Sequence, residues 1–247
     1  PGGRGIIPAE LLVWPEFAVQ AARCIAVQFE GEAAPAVAPA RLVRASFLTD
    51  ARGQRSLVLD GEVFPLAPIS DGLARNAALA LVAAPELGRP SVELAAVTAH
   101  WIPPAGRGSV HVEGERTFYV DCYNSSPASL LDAARCFDRL GATDARPRLW
   151  VLGGMAELGA DAAALHRACG ADLPVRADDA VVAFGGDAAH LLAGLPPGTG
   201  LRLAARDLAE VRAAVAAHAG FVFVKGSRSF ALERALPAGL AAQLTFH

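Results

Sequence analysis

Short apolar runs alternate with longer helical patterns along the second half of the chain, from about residue 112. The runs predict strands at 117–121, 148–152, 180–184 and 221–225, and the segments between them predict helices at 128–140, 160–169, from 187 onward, and at 208–217. Strands separated by helices of this length form βαβ units, in which a mostly parallel sheet is covered by helices on both faces. The sequence therefore predicts the α/β class, with a Rossmann-like three-layer domain at the C-terminal end.

The first half of the chain has a different pattern. Apolar runs at 5–7, 24–29 and 56–59 predict strands, and the Asp60-Gly61 pair after the third run is typical of a hairpin turn. Residues 76–88 predict an apolar helix that ends near Gly88. The stiff Pro103-Pro104-Ala105-Gly106 segment marks a boundary, so we predict two domains, at 1–108 and 109–247.

Composition excludes several classes of protein. Hydrophobic residues make up 53% of the sequence and charged residues 19%, which is typical of a chain that folds around a core. A net charge of −3 argues against nucleic acid as the main partner. The alanine-rich run at 77–84 is too short to span a membrane, and no secretory signal opens the chain. The four cysteines and six histidines show no metal-binding spacing, so we expect no metal site and reduced thiols in a cytoplasmic protein.

A polar loop follows the predicted strand at 117–121. Asp121 ends the strand, Tyr123 and Asn124 lie in the loop, and Pro127 stands where the first turn of a helix tolerates proline. Open α/β sheets bind ligands at the carboxyl ends of their strands, just before a helix begins. The loop is therefore a candidate binding site, and the alternative is a capped turn without a ligand.

A second candidate follows the strand at 221–225. Lys225 and Arg228 present positive charge, Gly226 permits a tight turn, and Ser227 is placed to cap the last helix, which we expect to begin here. This pattern favours an anion, and the alternative is a capped surface turn.

Together these motifs resemble the C-terminal part of Mur ligases. The similarity lies in Gly106-Arg107, in the Asp121-x-Tyr123-Asn124-x-x-Pro127-x-Ser129 pattern, and in three later strings. Those strings are Gly153-x-Met155-x-Glu157-Leu158-Gly159, then Leu165-His166, then Lys225-Gly226-Ser227-Arg228. The resemblance is dense from about residue 76 to residue 234 and faint before that, where it implies the rear of the family's α/β central domain, which is of the ATPase type.

The resemblance implies an ATP- and Mg²⁺-dependent ligase of peptidoglycan precursor synthesis. Among Mur ligases, the most similar type joins D-alanyl-D-alanine to a UDP-muramoyl peptide, and these two molecules are the implied substrates. By the same resemblance the expected nucleotide contacts are Asn76, Arg107, Asp121, Tyr123 and Asn124. The expected catalytic residues are Lys225 and Arg228, and the expected substrate contacts are Glu157 and Ser227.

The sequence departs from the family's pattern at several points. Gly72 and Leu73 stand where the family carries His and Asn near the adenine, and Gly154 stands where it carries Asp. The phosphate-binding G-x-x-x-x-G-K-[ST] pattern does not occur in the 247 residues, and the family's Mg²⁺ ligands would precede Pro1. We therefore expect a fragment that lacks the N-terminal and ATPase portions and does not ligate by itself. A degenerate, non-catalytic binding or regulatory module is an alternative, as is a related ligase with another acceptor.

Overall fold

A computed structural model describes residues 3–51, 53–142 and 144–244. The chain divides into two compact units, Pro1–Ile102 and Pro103–His247, and each is described by itself. Within the described residues, the structure contains no helix that is both long and apolar enough to cross a membrane.

The first unit is built on a five-stranded sheet of order β1-β2-β3-β4-β5. Its strands are β1 (Gly5–Pro8), β2 (Cys24–Phe29), β3 (Arg41–Thr49), β4 (Arg55–Leu59) and β5 (Glu62–Pro65). Its helices are α1 (Pro15–Ala18), α2 (Asp71–Glu86) and α3 (Ser91–His100), with short 3₁₀ helices at Ala9–Val13 and Ala21–Arg23. The first three strands are parallel, and β4 and β5 are antiparallel to their neighbours.

Local chemistry explains two features of the first unit. Asp60 and Gly61 join β4 to β5 with positive φ angles of 47° and 91°, so the predicted hairpin is confirmed. Helix α2 begins at Asp71, before the predicted start at residue 76, because the Ser70 hydroxyl caps it by accepting a hydrogen bond from the Leu73 amide.

The second unit contains a six-stranded sheet of order β10-β9-β8-β11-β7-β6, parallel except for β6. Its strands are β6 (Ser109–Glu113), β7 (Arg116–Asp121), β8 (Arg148–Gly153), β9 (Ala180–Phe184), β10 (Arg202–Ala205) and β11 (Phe221–Lys225). Its helices are α4 (Pro127–Leu140), α5 (Ala162–Asp172), α6 (Ala189–Gly194), α7 (Leu208–Ala217) and α8 (Ala238–Gln243). Short 3₁₀ helices lie at Gly159–Asp161, Gly186–Ala188, Arg228–Phe230 and Leu232–Ala235.

Both faces of this sheet are covered by helices. Tyr119 and Phe223 pack with Phe137 of α4 on one face, whereas the alternate residues Val120 and Val224 pack in a second cluster that includes α7 and α8. Successive side chains of a strand point to opposite faces, so each of the four inner strands contributes to two cores. The predicted α/β class and three-layer domain are confirmed.

The segment after β11 corrects one prediction. Lys225–Arg228 does not open a long helix, because two 3₁₀ helices follow and α8 begins at Ala238. The Ser227 hydroxyl makes no capping bond and instead accepts a hydrogen bond from the Ala156 amide, 2.9 Å away.

Candidate functional site

The carboxyl ends of β7, β11 and β8 bring the predicted motifs together. Lys225, the last residue of β11, is paired in register with Asp121 of β7 on one side and with Leu152 of β8 on the other. The two polar segments that the sequence singled out therefore start from adjacent strands at the same edge. This edge is where open α/β sheets place their ligands.

Lys225 is the single lysine of the sequence, and its side chain is buried, with 1% exposed. Its ammonium donates to Asp121 Oδ2 at 2.7 Å and to the Asn124 carbonyl oxygen at 3.0 Å. Burial raises the pKa of the Asp121 carboxyl, and the charge and hydrogen bond of Lys225 offset part of that rise. The ammonium thus ties the end of β11 to the loop after β7.

The loop after β7 is held by hydrogen bonds between the side chains and backbone amides of its own residues. The Asn124 side-chain oxygen accepts from the Ser125 amide, and Ser126 and Ser129 form a reciprocal capping box at the start of α4. Pro127 is the first residue of the helix, as predicted. Since the cap is Ser126, Asp121 is not needed for it, and 20% of the Asp121 side chain stays exposed.

Arg107 and Tyr123 form an exposed pair beside this loop. The Arg107 guanidinium lies 3.9 Å from the centroid of the Tyr123 ring, and the Tyr123 amide donates to the Gly106 carbonyl oxygen. Two residues 16 positions apart in the sequence are therefore presented together, which the motif spacing alone did not reveal. A planar cation and a ring at the surface offer stacking and an anion contact to a ligand.

The loop after β8 is held by side chains from two other elements. His166 Nε2 accepts from the Met155 amide at 2.9 Å, and its Nδ1 lies 2.7 Å from the Ala162 carbonyl oxygen. Ser227 Oγ accepts from the Ala156 amide, while the Ser227 amide donates to the Gly154 carbonyl oxygen. The sequence motifs assigned His166 no chemical role, and the structure places it fully buried, where it supports this loop.

Glu157 lies at the end of this supported loop. Its side chain is exposed, and its φ of 63° is in the left-handed region that residues other than glycine seldom adopt. Strained positions of this kind persist where the surroundings fix them and concentrate at functional sites. The loop therefore presents a carboxylate at a defined position.

Arg228 follows Ser227 and remains 46% exposed, with Nη1 lying 3.5 Å from the Glu233 carboxylate. It presents positive charge at the same edge as Asp121 and Lys225, and unlike Lys225 it is accessible.

Cys122, which follows Asp121, has a buried thiol. Burial raises the pKa of this thiol to about 12, and the charges of Glu233 and Asp121 add to the rise. The cysteine is therefore protonated and is not an activated nucleophile.

Asn76 belongs to the first unit, exposed on α2. It lines a mostly apolar groove of about 360 Å³ together with Leu73, Thr98 and Trp101. The groove offers apolar contacts to a planar ligand group, and the Asn76 amide offers one hydrogen-bonding partner.

Among residues 3–51, 53–142 and 144–244, no group of three or more His, Cys, Asp or Glu side chains is arranged to hold a metal ion.

Comparison with known proteins agrees with the fold and the motif order. The family model described as Mur ligase, glutamate ligase domain, matches residues 106–228. The UDP-N-acetylmuramoyl-tripeptide–D-alanyl-D-alanine ligase of Treponema pallidum (strain Nichols) is 35% identical over 173 residues, which are 66% of this chain and 36% of that protein. The chain belongs to the Mur ligase family.

Two solved structures have the same fold. A crystal structure of MurF from Acinetobacter baumannii matches with a TM-score of 0.74 and 22% identity, over 98% of this chain and 52% of that one. MurF ligase from Thermotoga maritima, in complex with ADP, matches with a TM-score of 0.67 and 20% identity, over 90% of this chain and 54% of that one. The chain thus spans about half the length of these structures.

Proposed function

We propose that the chain is the rear part of a MurF-type ligase, which forms an amide bond between a UDP-muramoyl peptide and D-alanyl-D-alanine at the expense of ATP. In this proposal the first unit is the rear of the central domain and the second is the C-terminal domain. The observation that carries it is the 35% identity over 173 residues to a ligase of that stated activity. The clustering of Asp121, Arg228 and Glu157 at one sheet edge supports it. Because its substrates are nucleotide-linked, we place the protein in the cytoplasm.

The proposed reaction has two steps. The substrate carboxylate attacks the γ-phosphorus of ATP, which releases ADP and leaves an acyl phosphate; the amine then attacks the acyl carbon, and inorganic phosphate leaves as the amine loses a proton. Mg²⁺ neutralises phosphate charge in such transfers, and we assign it no ligands in this chain. The protein's task is to hold the reactants in position and to stabilise the negative charge that develops.

We assign roles by exposure and charge. Asp121 accepts hydrogen bonds from the ribose hydroxyls, Asn124 lies beside it, and the Arg107–Tyr123 pair contacts the nucleotide. Asn76 is assigned to the nucleotide from its place on the apolar groove.

The remaining residues belong to the amine side. Arg228 stabilises the anionic intermediate or the substrate carboxylate, and Glu157 binds the amine. Lys225 and Ser227 are 1% and 3% exposed, so we assign them to positioning Asp121 and the loop after β8 and not to direct contact with substrate.

By itself the chain is proposed to be inactive, because the phosphate-binding pattern is not among its 247 residues.

The proposed ligase function is tested with a chimera in which this chain replaces the matched region of the Treponema pallidum ligase. We expect ATP-dependent joining of D-alanyl-D-alanine, and an Arg228→Ala chimera serves as the control that folds but ligates poorly. A folded parent chimera that makes no product contradicts the proposal.

The second candidate is a non-catalytic module that descends from the ligase. Gly72, Leu73 and Gly154 favour it, since they replace polar residues of the family's pattern and cannot make the same hydrogen bonds. A related ligase is the third, since folylpolyglutamate synthase from Thermotoga maritima shares the fold with a TM-score of 0.53 and 14% identity. The chimera distinguishes the three: the module makes no product, and the related ligase accepts an amino acid in place of the dipeptide.

A further inference from the structure

Strands β8 and β9 both run into glycines at the edge that carries the site. Gly154 follows β8, and Gly185 and Gly186 follow β9 with φ angles of 79° and 52°. The Gly154 amide donates to the carbonyl oxygen of Phe184, which joins the two segments. Together the three glycines form a side-chain-free surface, called here the glycine recess.

The ring of Phe230 fills the glycine recess. A Cβ built on Gly185 would lie 2.3 Å from Phe230 Cδ1, one on Gly154 would lie 2.9 Å from Cε2, and one on Gly186 would lie 3.0 Å from Cζ. The first two distances are shorter than real Cβ contacts and the third is tighter than most, so a side chain at any of the three glycines would require the ring to move. Phe184 meets the ring edge-on, with 6.4 Å between centroids.

The segment that carries Phe230 is fixed to the site. The Phe230 amide donates to the Ser227 carbonyl oxygen, and Ser227 in turn holds Gly154 and Ala156 of the loop that leads to Glu157. Arg228 lies two residues before the ring and is exposed. The half-buried ring therefore forms an apolar wall near the charged residue assigned to the substrate.

We propose that Phe230 is a specificity-determining residue, which closes the glycine recess and limits the side chain of the amine substrate to about the size of a methyl group. The assignment rests on the proposed ligase function. It also explains Gly154, since the Cβ of the Asp that the family usually carries there would lie 2.7 Å from the Gly185 carbonyl oxygen and 2.9 Å from the ring. At this position the polar side chain of the family's Asp is thus replaced by the apolar surface of the Phe230 ring.

The test is calorimetric titration of the 247-residue chain and its Phe230→Ala and Phe230→Leu variants with D-alanyl-D-alanine, D-phenylalanyl-D-alanine and D-alanyl-D-phenylalanine. We expect wild type to prefer the small dipeptide at least about tenfold, a typical discrimination for an apolar pocket. Phe230→Ala should reduce this ratio to about threefold or less by gaining affinity for a bulky dipeptide. Phe230→Leu should retain the preference, and near-UV circular dichroism confirms that each variant is folded.

The titrations distinguish a failure of the role of Phe230 from a failure of the proposed ligase function. If wild type binds D-alanyl-D-alanine and the ratio is unchanged in folded Phe230→Ala, the role of Phe230 is overturned and the proposed function stands. If no folded variant binds any of the three dipeptides, the amine site of the proposed function is contradicted and the role of Phe230 is overturned with it.

Discussion

Lys225 Nζ lies 2.7 Å from Asp121 Oδ2, across two adjacent parallel strands whose last residues are paired in register. One buried ion pair thereby connects the segment assigned to the nucleotide with the segment assigned to the amine. A substitution that breaks this pair is therefore expected to affect both segments.

Removing the ammonium should destabilise the fold. Lys225→Met leaves the Asp121 carboxylate 80% buried without its cation, and we expect a loss of about 3–5 kcal/mol in the free energy of unfolding. Replacing both residues, with Asp121→Asn added, should cost less than the sum of the single changes, because no unpaired charge remains. Urea unfolding of the three variants measures this coupling, and strict additivity would contradict it.

Burial of the single lysine gives a chemical test. In the folded protein Lys225 should resist acylation by an amine-reactive ester, because its nitrogen is inaccessible and held by Asp121. In denaturant the same residue should react fully. Mass spectrometry of the peptide containing Lys225 reads both states, and rapid labelling of the folded chain would show that the ammonium is free.

A second buried ion pair lies at the amino end of β8. Arg148 and Asp179 are 1% and 2% exposed, and the Asp179 carboxylate also accepts from the Trp150 indole and the Arg176 amide. Asp179→Ala removes the main partner of the buried Arg148 guanidinium, and we expect the free energy of unfolding to fall by about 3–5 kcal/mol. Asp144→Asn, at a partly exposed pair with Arg146, is the matched control and should shift the unfolding midpoint far less. Equal losses of stability in Asp179→Ala and Asp144→Asn would contradict a stabilising role for the buried Arg148–Asp179 pair.

His111 should make stability depend on pH. Burial lowers its pKa in the folded state below the ordinary value of 6.5, so the unfolded chain binds its proton more readily. Its contribution is therefore fully present above about pH 6.5 and is lost as the pH falls through the folded pKa. His111→Gln should flatten this part of the profile in denaturant titrations from about pH 7.5 to about pH 5. An unchanged difference between those two pH values would refute it.

Sequence patterning predicted the second unit well because its strands are short apolar runs separated by helices. The strand at 180–184 and the helix at 208–217 have the predicted bounds. Strand β3 was missed because Arg41, Arg44 and Ser46 interrupt its apolar pattern; Arg44 makes a hydrogen bond with Gln28 of the neighbouring strand, a contact that exists only in the folded sheet. Strand β10 was missed because Leu203 is the single large apolar residue among its four residues.

The sequence identified residues of the candidate site but not how they are arranged. The motifs named Asp121, Lys225 and Ser227, yet the sequence could not reveal that Lys225 and Ser227 are buried. Their burial depends on the neighbours that the fold provides, which are β7 for Lys225 and the loop after β8 for Ser227. The position of Phe230 was hidden for a related reason. It depends on three glycines from two separate loops, and no local pattern connects them.

The most direct measurement is titration of a non-hydrolysable ATP analogue into the 247-residue chain, with Mg²⁺ present. We predict a dissociation constant below about 1 mM, weakened about tenfold or more in Asp121→Asn, which keeps the shape of the side chain but removes its charge. The control variant Asp144→Asn, which removes a partly exposed carboxylate elsewhere in the second unit, should bind as wild type does. Equal affinity in wild type and Asp121→Asn, or no binding by the folded wild type, would contradict the assignment of this edge to the nucleotide of a ligase.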